Sequence, residues 1–146
     1  MKISIVISMI IIFFVPMACT NVDVSNESKY NYGYKVDHIY KTKDYLLILP
    51  NTFNLTKVRN VDKPYINNKK YFLGKVVIGT KFKIIKLIYH PKRFSGTIDS
   101  RAVILDGKFK GQIVSANLLV KRGEDGRHAY PDEDIVEDLG IEKTDK

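Results

Sequence analysis

The feature that most constrains this fold is a run of strand-forming residues, interrupted by turn signals, between residues 71 and 120. Apolar and polar side chains alternate there with a period of two, as in strands that bury one face. An Asp106–Gly107 pair separates two such segments, residues 102–105 and 109–119, and this dipeptide is a strong hairpin signal. The pattern predicts an all-β fold organised around this hairpin.

The alternation in residues 81–89 also predicts an irregularity. Phe82 and every second residue after it would point inward, and an unbroken alternation would therefore bury Lys86. One extra residue at the Ile84–Ile85 step restores the pattern, with Leu87 inside and Lys86 outside. We expect a β-bulge there, because bulges bend strands around small barrels.

Shorter strands are predicted at residues 44–49 and 53–58, and a loop at residues 92–100. Tyr30, Tyr32 and Tyr34 alternate with small or polar residues, so a strand would place all three rings on one face. Two interpretations follow. The rings form a stacking platform for sugars or peptides, or they pack an edge strand onto the barrel.

Charge is divided unevenly along the chain. Residues 19–122 carry 20 Lys and Arg against 7 Asp and Glu, whereas residues 123–146 carry 3 against 9. A basic body with an acidic tail favours an anionic partner, such as membrane headgroups, cell-wall polymer or an acidic protein. The alternative is an ordinary solvated surface on a lysine-rich chain.

The acidic tail contains the signals of a short helix. Pro131 and the three carboxylates after it suit a first helical turn. Ile135 and Leu139 would share one face, and Gly140 would end the helix. Such a helix could dock its acidic side on the basic body, and the alternative is disorder, because a short isolated helix is marginal in water.

The amino terminus is typical of an export signal. Lys2 precedes an apolar run at residues 3–15, which is shorter than the roughly 20 residues that span a bilayer. Residues 16–19, Pro-Met-Ala-Cys, place a small residue before the only cysteine of the chain. This segment resembles a bacterial lipobox, although Pro16 and Met17 differ from the usual Leu and small residue. The resemblance implies cleavage before Cys19 and acylation of that residue, and plain secretion is the alternative.

A lipobox implies attachment in the cell envelope. Because Thr20 rather than Asp follows the cysteine, we expect an outer-membrane position facing the periplasm if the source has two membranes. The polar residues 20–29 suggest a flexible tether. The expected organisation is a signal peptide at 1–18, a lipid anchor and tether at 19–34, a basic β-barrel domain at 35–122 and an acidic tail at 123–146.

A second resemblance rests on three segments: Val58-Arg59, then Gly79-Thr80-Lys81-Phe82-Lys83-Ile84, then Gly107-Lys108-Phe109-Lys110-Gly111-Gln112-Ile113, closed by Leu118 or Leu119. Residues 57–119 resemble bacterial SH3 domains, which are small five-stranded barrels of exported proteins. Here no tryptophan follows the second glycine, and the loop at 92–100 is inserted. The resemblance implies a small SH3-like β-barrel and a module that binds peptidoglycan or peptides. It transfers no contact residue.

Residues 107–111 also resemble the KOW element of ribosomal and transcription proteins, which would imply RNA binding through phosphate contacts and stacking. Because export argues against that partner, we expect no nucleic acid.

No residue set predicts catalysis. His38, His90 and His128 are far apart and not in metal-ligand spacing, and no Gly-x-Ser-x-Gly elbow is present. We therefore expect no enzymatic activity, no metal and no cofactor. A pocket that joined His90 to an acid and a hydroxyl would instead favour a hydrolase.

The leading hypothesis is a non-catalytic, lipid-anchored envelope protein with a basic binding module for a cell-wall, membrane or protein partner. The alternative is an immunity or inhibitor lipoprotein that neutralises a toxin or enzyme. Besides the membrane contact through Cys19, peptidoglycan or a protein is the expected partner. The candidate partner-binding residues are Lys81, Lys83, Lys86, Lys92, Arg93, Lys108 and Lys110 for charge, with Tyr65 and Tyr71 for stacking.

Overall fold

The computed structural model describes residues 20–27, 33–50, 53–58, 72–91, 96–124 and 128–142. Within them, no helix is long and apolar enough to cross a membrane. A short 3-10 turn, Gly107–Phe109, lies between the seventh and eighth strands. The strands formed by these residues are β1 Val22–Asp23, β2 His38–Thr42, β3 Leu46–Ile48, β4 Leu55–Lys57, β5 Gly74–Val76, β6 Lys81–His90, β7 Thr97–Ile104, β8 Ile113–Ser115, β9 Val120–Arg122, β10 Ala129–Pro131 and β11 Val136–Ile141.

Three antiparallel sheets make up this all-β fold, which confirms the predicted fold class. The large sheet has the order β11-β2-β6-β7-β8, and β1 pairs with the final part of β6. A second sheet has the order β4-β3-β5, and β9 pairs with β10. In the described residues the sheets stay separate and do not close into a barrel. The predicted closure into a barrel was therefore wrong. Among the described residues, a bridge between Asn54 and Ser115 joins the edges of the two larger sheets.

The core lies between the large sheet and the β4-β3-β5 sheet. Tyr40 and Phe82 stack at its centre with ring centroids 5.8 Å apart, and Tyr34 meets Tyr40 edge-on at 4.8 Å. Tyr34 is 1% exposed, so its ring is a core ring and neither a stacking platform nor part of an edge strand. Burial raises the pKa of Tyr40 to about 12. Tyr30 and Tyr32 lie outside the described residues.

The predicted bulge in β6 is confirmed. The register between β6 and β7 shifts between Ile84 and Lys86. Ile85 is the extra residue and is 40% exposed, whereas Leu87 is buried. The bulge returns the apolar residues to the core face and keeps Lys86 in solvent, as the interrupted alternation required.

The β7–β8 hairpin exists, but its strands differ from the prediction. The return strand is only Ile113–Ser115, and the connection runs from residue 105 to residue 112. The 3-10 turn lengthens it beyond Asp106–Gly107, and Gly111 N–H closes it by donating to Ile104 O at 2.8 Å. On the other side, residues 97–100 belong to β7 and not to the predicted loop, because they pair with the end of β6.

The segment predicted as a flexible tether is partly structured. Val22–Asp23 forms β1 on the large sheet, and Val24 is 1% exposed. A valine at every second position is a strand signal, which the polar neighbours obscured. The prediction of a flexible tether was therefore wrong for these three residues.

The acidic segment forms strands, and the predicted helix was wrong. Residues 132–135 form a turn, after which β11 pairs along β2 as an edge of the large sheet. Ile135 is buried whereas Leu139 is 42% exposed, so the two do not share a face. Gly140 does not end a helix. It lies at a register shift in β11 with a φ of 78°, where a left-handed backbone favours glycine.

The acids of this segment nevertheless contact the basic body. Asp132 forms a buried ion pair with Lys57 of β4, and Glu137 lies 2.6 Å from the Lys41 ammonium. Asp138 lies 2.9 Å from His38 Nδ1. The expected electrostatic attraction is therefore present, carried by strand and turn residues.

Candidate functional site

Five of the predicted partner-binding residues fall in the described part of the chain. They are Lys81, Lys83, Lys86, Lys108 and Lys110. The remaining predicted site residues, Lys92, Arg93, Tyr65, Tyr71 and Cys19, lie outside the described residues, as does the predicted signal peptide.

The structure separates these five lysines into two groups, and the first is paired with acids. Lys83 Nζ lies 3.1 Å from Asp37 Oδ1, and Lys86 Nζ lies 3.1 Å from Asp23 Oδ2. Hydrogen bonds from the Ser25 side chain and backbone, followed by Lys86, lower the pKa of Asp23 to about 2. The Asp23 carboxylate is therefore ionised at neutral pH and compensates the lysine charge beside it.

Two further pairs extend this compensation across the large sheet. Lys41 pairs with Glu137, and its hydrogen bond and charge lower the pKa of that carboxyl. Arg101 Nε lies 2.6 Å from Asp99 Oδ2. Each exposed pair contributes little to stability, but together they remove most of the positive charge that the sequence places on these strands.

The second group is not paired with acids. Lys81, Lys108 and Lys110 form no ion pair among the described residues, and neither does Lys75 of β5. We call these four lysines the basic end. Lys75 was not among the predicted site residues. The sequence predicted a strand there, but it did not indicate that the 3-10 turn would pack beside that strand.

Backbone contacts bring the members of the basic end together. Leu105 N–H donates to Lys81 O at 2.8 Å, which attaches the start of β6 to the segment before the 3-10 turn. Asp106 lines the same cleft as Lys75 and Lys108, and its Oδ1 accepts the Lys81 backbone N–H at 3.0 Å. Lys110 N–H donates to Gly107 O at 3.2 Å and closes the turn. Asp106 keeps its negative charge while it accepts the Lys81 N–H, so the four lysines of the basic end outnumber this one acid beside them.

Phe109 fixes the 3-10 turn against β5. A Cβ added to Gly74 would collide with the Phe109 ring, so the ring occupies the space that the glycine leaves. A cleft of about 40 Å³ between the two elements is lined by Lys75, Thr80 and Lys108, among others. This volume is close to that of one water molecule. The basic end is therefore a surface rather than a ligand cavity.

Apolar side chains border the basic end. Val77 and Ile78, in the turn after β5, are 54% and 51% exposed. The Lys75 ammonium lies 3.5 Å from the centre of the Tyr45 ring, a cation–π contact that orients it without neutralising it. The surface can contact a ligand that combines negative charge with apolar groups.

A second polar cluster joins His90, Asp99 and Ser115. Ser115 Oγ donates to Asp99 Oδ1 at 2.7 Å, and His90 Nε2 lies 3.9 Å from Asp99 Oδ2. The carboxylate thus lies between the imidazole and the hydroxyl. In an activated nucleophile the base contacts the hydroxyl directly, and here the hydroxyl belongs to a buried serine. This order favours a structural network that neutralises Asp99, with Arg101 as its cation.

A cavity of about 450 Å³ lies between the end of the β6–β7 hairpin and the β9–β10 hairpin. Its lining includes Tyr34, Leu87, Ile98, Ser100 and Asn117. The size is in the range of small-molecule sites. Its Asn117 Oδ1 already accepts the Ser100 N–H at 2.7 Å, and the described lining residues include no acid and no Lys or Arg. The cavity therefore indicates no particular chemistry.

Within the described residues, no group of three His, Cys, Asp or Glu side chains is placed to hold a metal ion. We take the basic end as the candidate functional site, because its four lysines form no ion pair with the described residues. No family model matches this chain, and no curated protein or solved structure matches it at a significant level.

Proposed function

We propose that this chain is a non-catalytic, lipid-anchored protein of the cell envelope whose basic end binds an anionic partner. The observation that supports this function is the division among the lysines. Those on the middle of the large sheet pair with acids, whereas Lys75, Lys81, Lys108 and Lys110 form no ion pair with any residue that the structure describes. Uncompensated charge on a surface attracts oppositely charged partners and raises their association rate.

The proposed anchor is the acylated Cys19. It depends on the export signal and on the small residue before the only cysteine. Several acyl chains would hold the protein stably, since one chain binds only marginally. Radiolabelled palmitate should enter the wild-type protein in its source cells and should not enter a Cys19→Ala variant. Unlabelled wild-type protein would refute the anchor.

The binding proposal is tested by co-sedimentation with purified peptidoglycan, using the mature chain from residue 19 with Cys19→Ser. We expect retention that falls with salt, because screening shortens the range of charge interactions to about 8 Å at physiological ionic strength. Retention no better than that of a neutral control protein at low salt would contradict the proposal.

Two double variants separate the basic end from total charge. Lys108→Gln with Lys110→Gln removes two uncompensated charges, and Lys83→Gln with Lys86→Gln removes two paired charges. At roughly 0.5–1 kcal/mol per contact, the first change should weaken binding about fivefold or more. The second variant has the same net charge and should bind nearly as wild type. Equal losses would show that net charge, not the basic end, controls binding.

A further inference from the structure

The residues just after the proposed anchor are held on the domain. Residues 21–25, which we call the N-terminal strap, lie along the last part of β6. Val24 N–H donates to Leu87 O at 3.0 Å, and Leu87 N–H donates to Ser25 Oγ at 3.0 Å. The Val24 side chain is buried in the core. The strap is therefore part of the sheet and follows its orientation.

Side-chain contacts hold both parts of the strap. The Asp23 carboxylate accepts the Ser25 hydroxyl at 2.6 Å and pairs with Lys86. At the start of the strap, Asn21 Oδ1 lies 2.7 Å from His90 Nδ1. Because β1 runs antiparallel to β6, Asn21 lies beside the final residue of β6.

The covalent chain limits how far the anchor can be from this end of the domain. Cys19 precedes Asn21 by two residues, and two residues span at most about 7 Å. An acyl group on Cys19 would thus keep the His90 end of β6 against the bilayer, whichever path the two residues take.

The basic end lies at the opposite end of the same strand. Lys81 begins β6 and His90 ends it, ten residues in all. At about 3.3 Å per residue the ends of the bulged strand are at most about 30 Å apart, which exceeds the Debye length of about 8 Å at physiological ionic strength. The surface charge of the anchoring membrane is largely screened at that distance.

We propose that the basic end faces away from the anchoring membrane, and that its partner is an anionic cell-wall polymer rather than the headgroups of its own bilayer. This inference rests on the proposed function, because it needs the anchor at Cys19 and binding at the basic end. The strap adds the direction in which that binding surface points.

The test uses the single thiol and the lack of tryptophan in this chain. The mature chain from residue 19 is coupled through Cys19 to a maleimide phospholipid, in vesicles that also contain a dansyl-labelled phospholipid. Thr97→Trp places a donor opposite His90, and Ile78→Trp places one at the basic end. Both positions are exposed. Each variant is first checked for folding by circular dichroism, and its melting temperature should equal that of the wild type.

We expect strong energy transfer to the dansyl lipids in the Thr97→Trp variant and severalfold weaker transfer in the Ile78→Trp variant. Addition of anionic phospholipid to the same vesicles should leave this difference unchanged. Equal transfer from the two positions would overturn the proposed orientation, as would an increase at position 78 to the level of position 97 when the anionic lipid is present.

A matched control isolates the strap. Ten Gly and Ser residues inserted after Thr20 free the domain from its short connection, and transfer from the two positions should then converge. If the difference persists with the insertion, the short connection between the anchor and the strap does not set the orientation and the inference fails. Because the coupling is chemical, this outcome is independent of acylation in cells and of peptidoglycan binding, which are tested separately above.

Discussion

Loss of one partner from the buried Lys57–Asp132 ion pair is expected to destabilise the fold strongly. The two side chains are 9% and 6% exposed, so removing either one leaves the other as a buried charge that has lost its partner in this pair. Breaking a buried pair from one side typically costs about 3–5 kcal/mol. A domain of this size has a free energy of unfolding of about 5–15 kcal/mol. The change therefore removes a large fraction of the stability.

Lys57→Met is the cleaner single change, because Asp132 also organises the turn before β11. Its Oδ1 lies 3.2 Å from Asp134 N, and its carbonyl accepts the Ile135 and Val136 N–H groups. Asp132→Asn keeps the shape of that side chain and leaves the lysine charge unpaired. The double variant removes both charges and should be much more stable than the sum of the single losses predicts.

Urea unfolding of wild type, both single variants and the double variant completes the cycle. Lys121→Met is the matched control, since Lys121 pairs with Glu133 at 3.5 Å with both side chains well exposed. We expect that control to lose less than about 1 kcal/mol. If Lys57→Met costs no more than the control, or if the single losses add without coupling, the argument from burial is refuted.

Three further changes test individual features of the fold. Gly140→Ala should lower the unfolding free energy by about 1 kcal/mol through its φ of 78° alone, since nothing lies within 4 Å of the added Cβ; unchanged stability in urea would contradict this reasoning. Burial alone would raise the pKa of Asp138, but the Gly140 N–H and His38 outweigh it and lower that pKa below the ordinary 3.8. The ionised Asp138 therefore stabilises the fold fully above pH 3.8, and this contribution is lost as the pH falls further. Asp138→Asn should thus reduce the drop in melting temperature between pH 5 and pH 2.5. An unchanged drop would count against the contact. Gly74→Ala should displace the Phe109 ring and destabilise the protein, and NMR of that ring and thermal melting would detect both effects. A ring that stays in place would contradict the prediction.

The strands of the centre could be predicted because their signals are local. Alternation along β6 identified even the bulge at Ile85, since each residue faces the core or solvent according to its own polarity. Closure into a barrel was not predictable in the same way. It depends on which strand edges pair across the molecule, and the edges of the described sheets meet only at the Asn54–Ser115 bridge.

The acidic segment shows how a local signal can be overridden. Pro131 and the acids after it suit a helix start, but pairing between β11 and β2 joins residues about 100 positions apart and outweighs that preference. Sequence alone also could not separate the lysines. Lys83 and Lys81 are two residues apart in β6, but the fold places Asp37 beside the first, whereas the second forms no ion pair with another described residue.

An NMR titration tests the central claim most directly. The mature chain with Cys19→Ser would be titrated with soluble peptidoglycan fragments while backbone amide shifts are recorded. We expect the largest shift changes to cluster at Lys75, Lys81, Lys108 and Lys110 and to disappear at high salt. Absence of shifts, or shifts centred on the paired lysines of the large sheet, would contradict it.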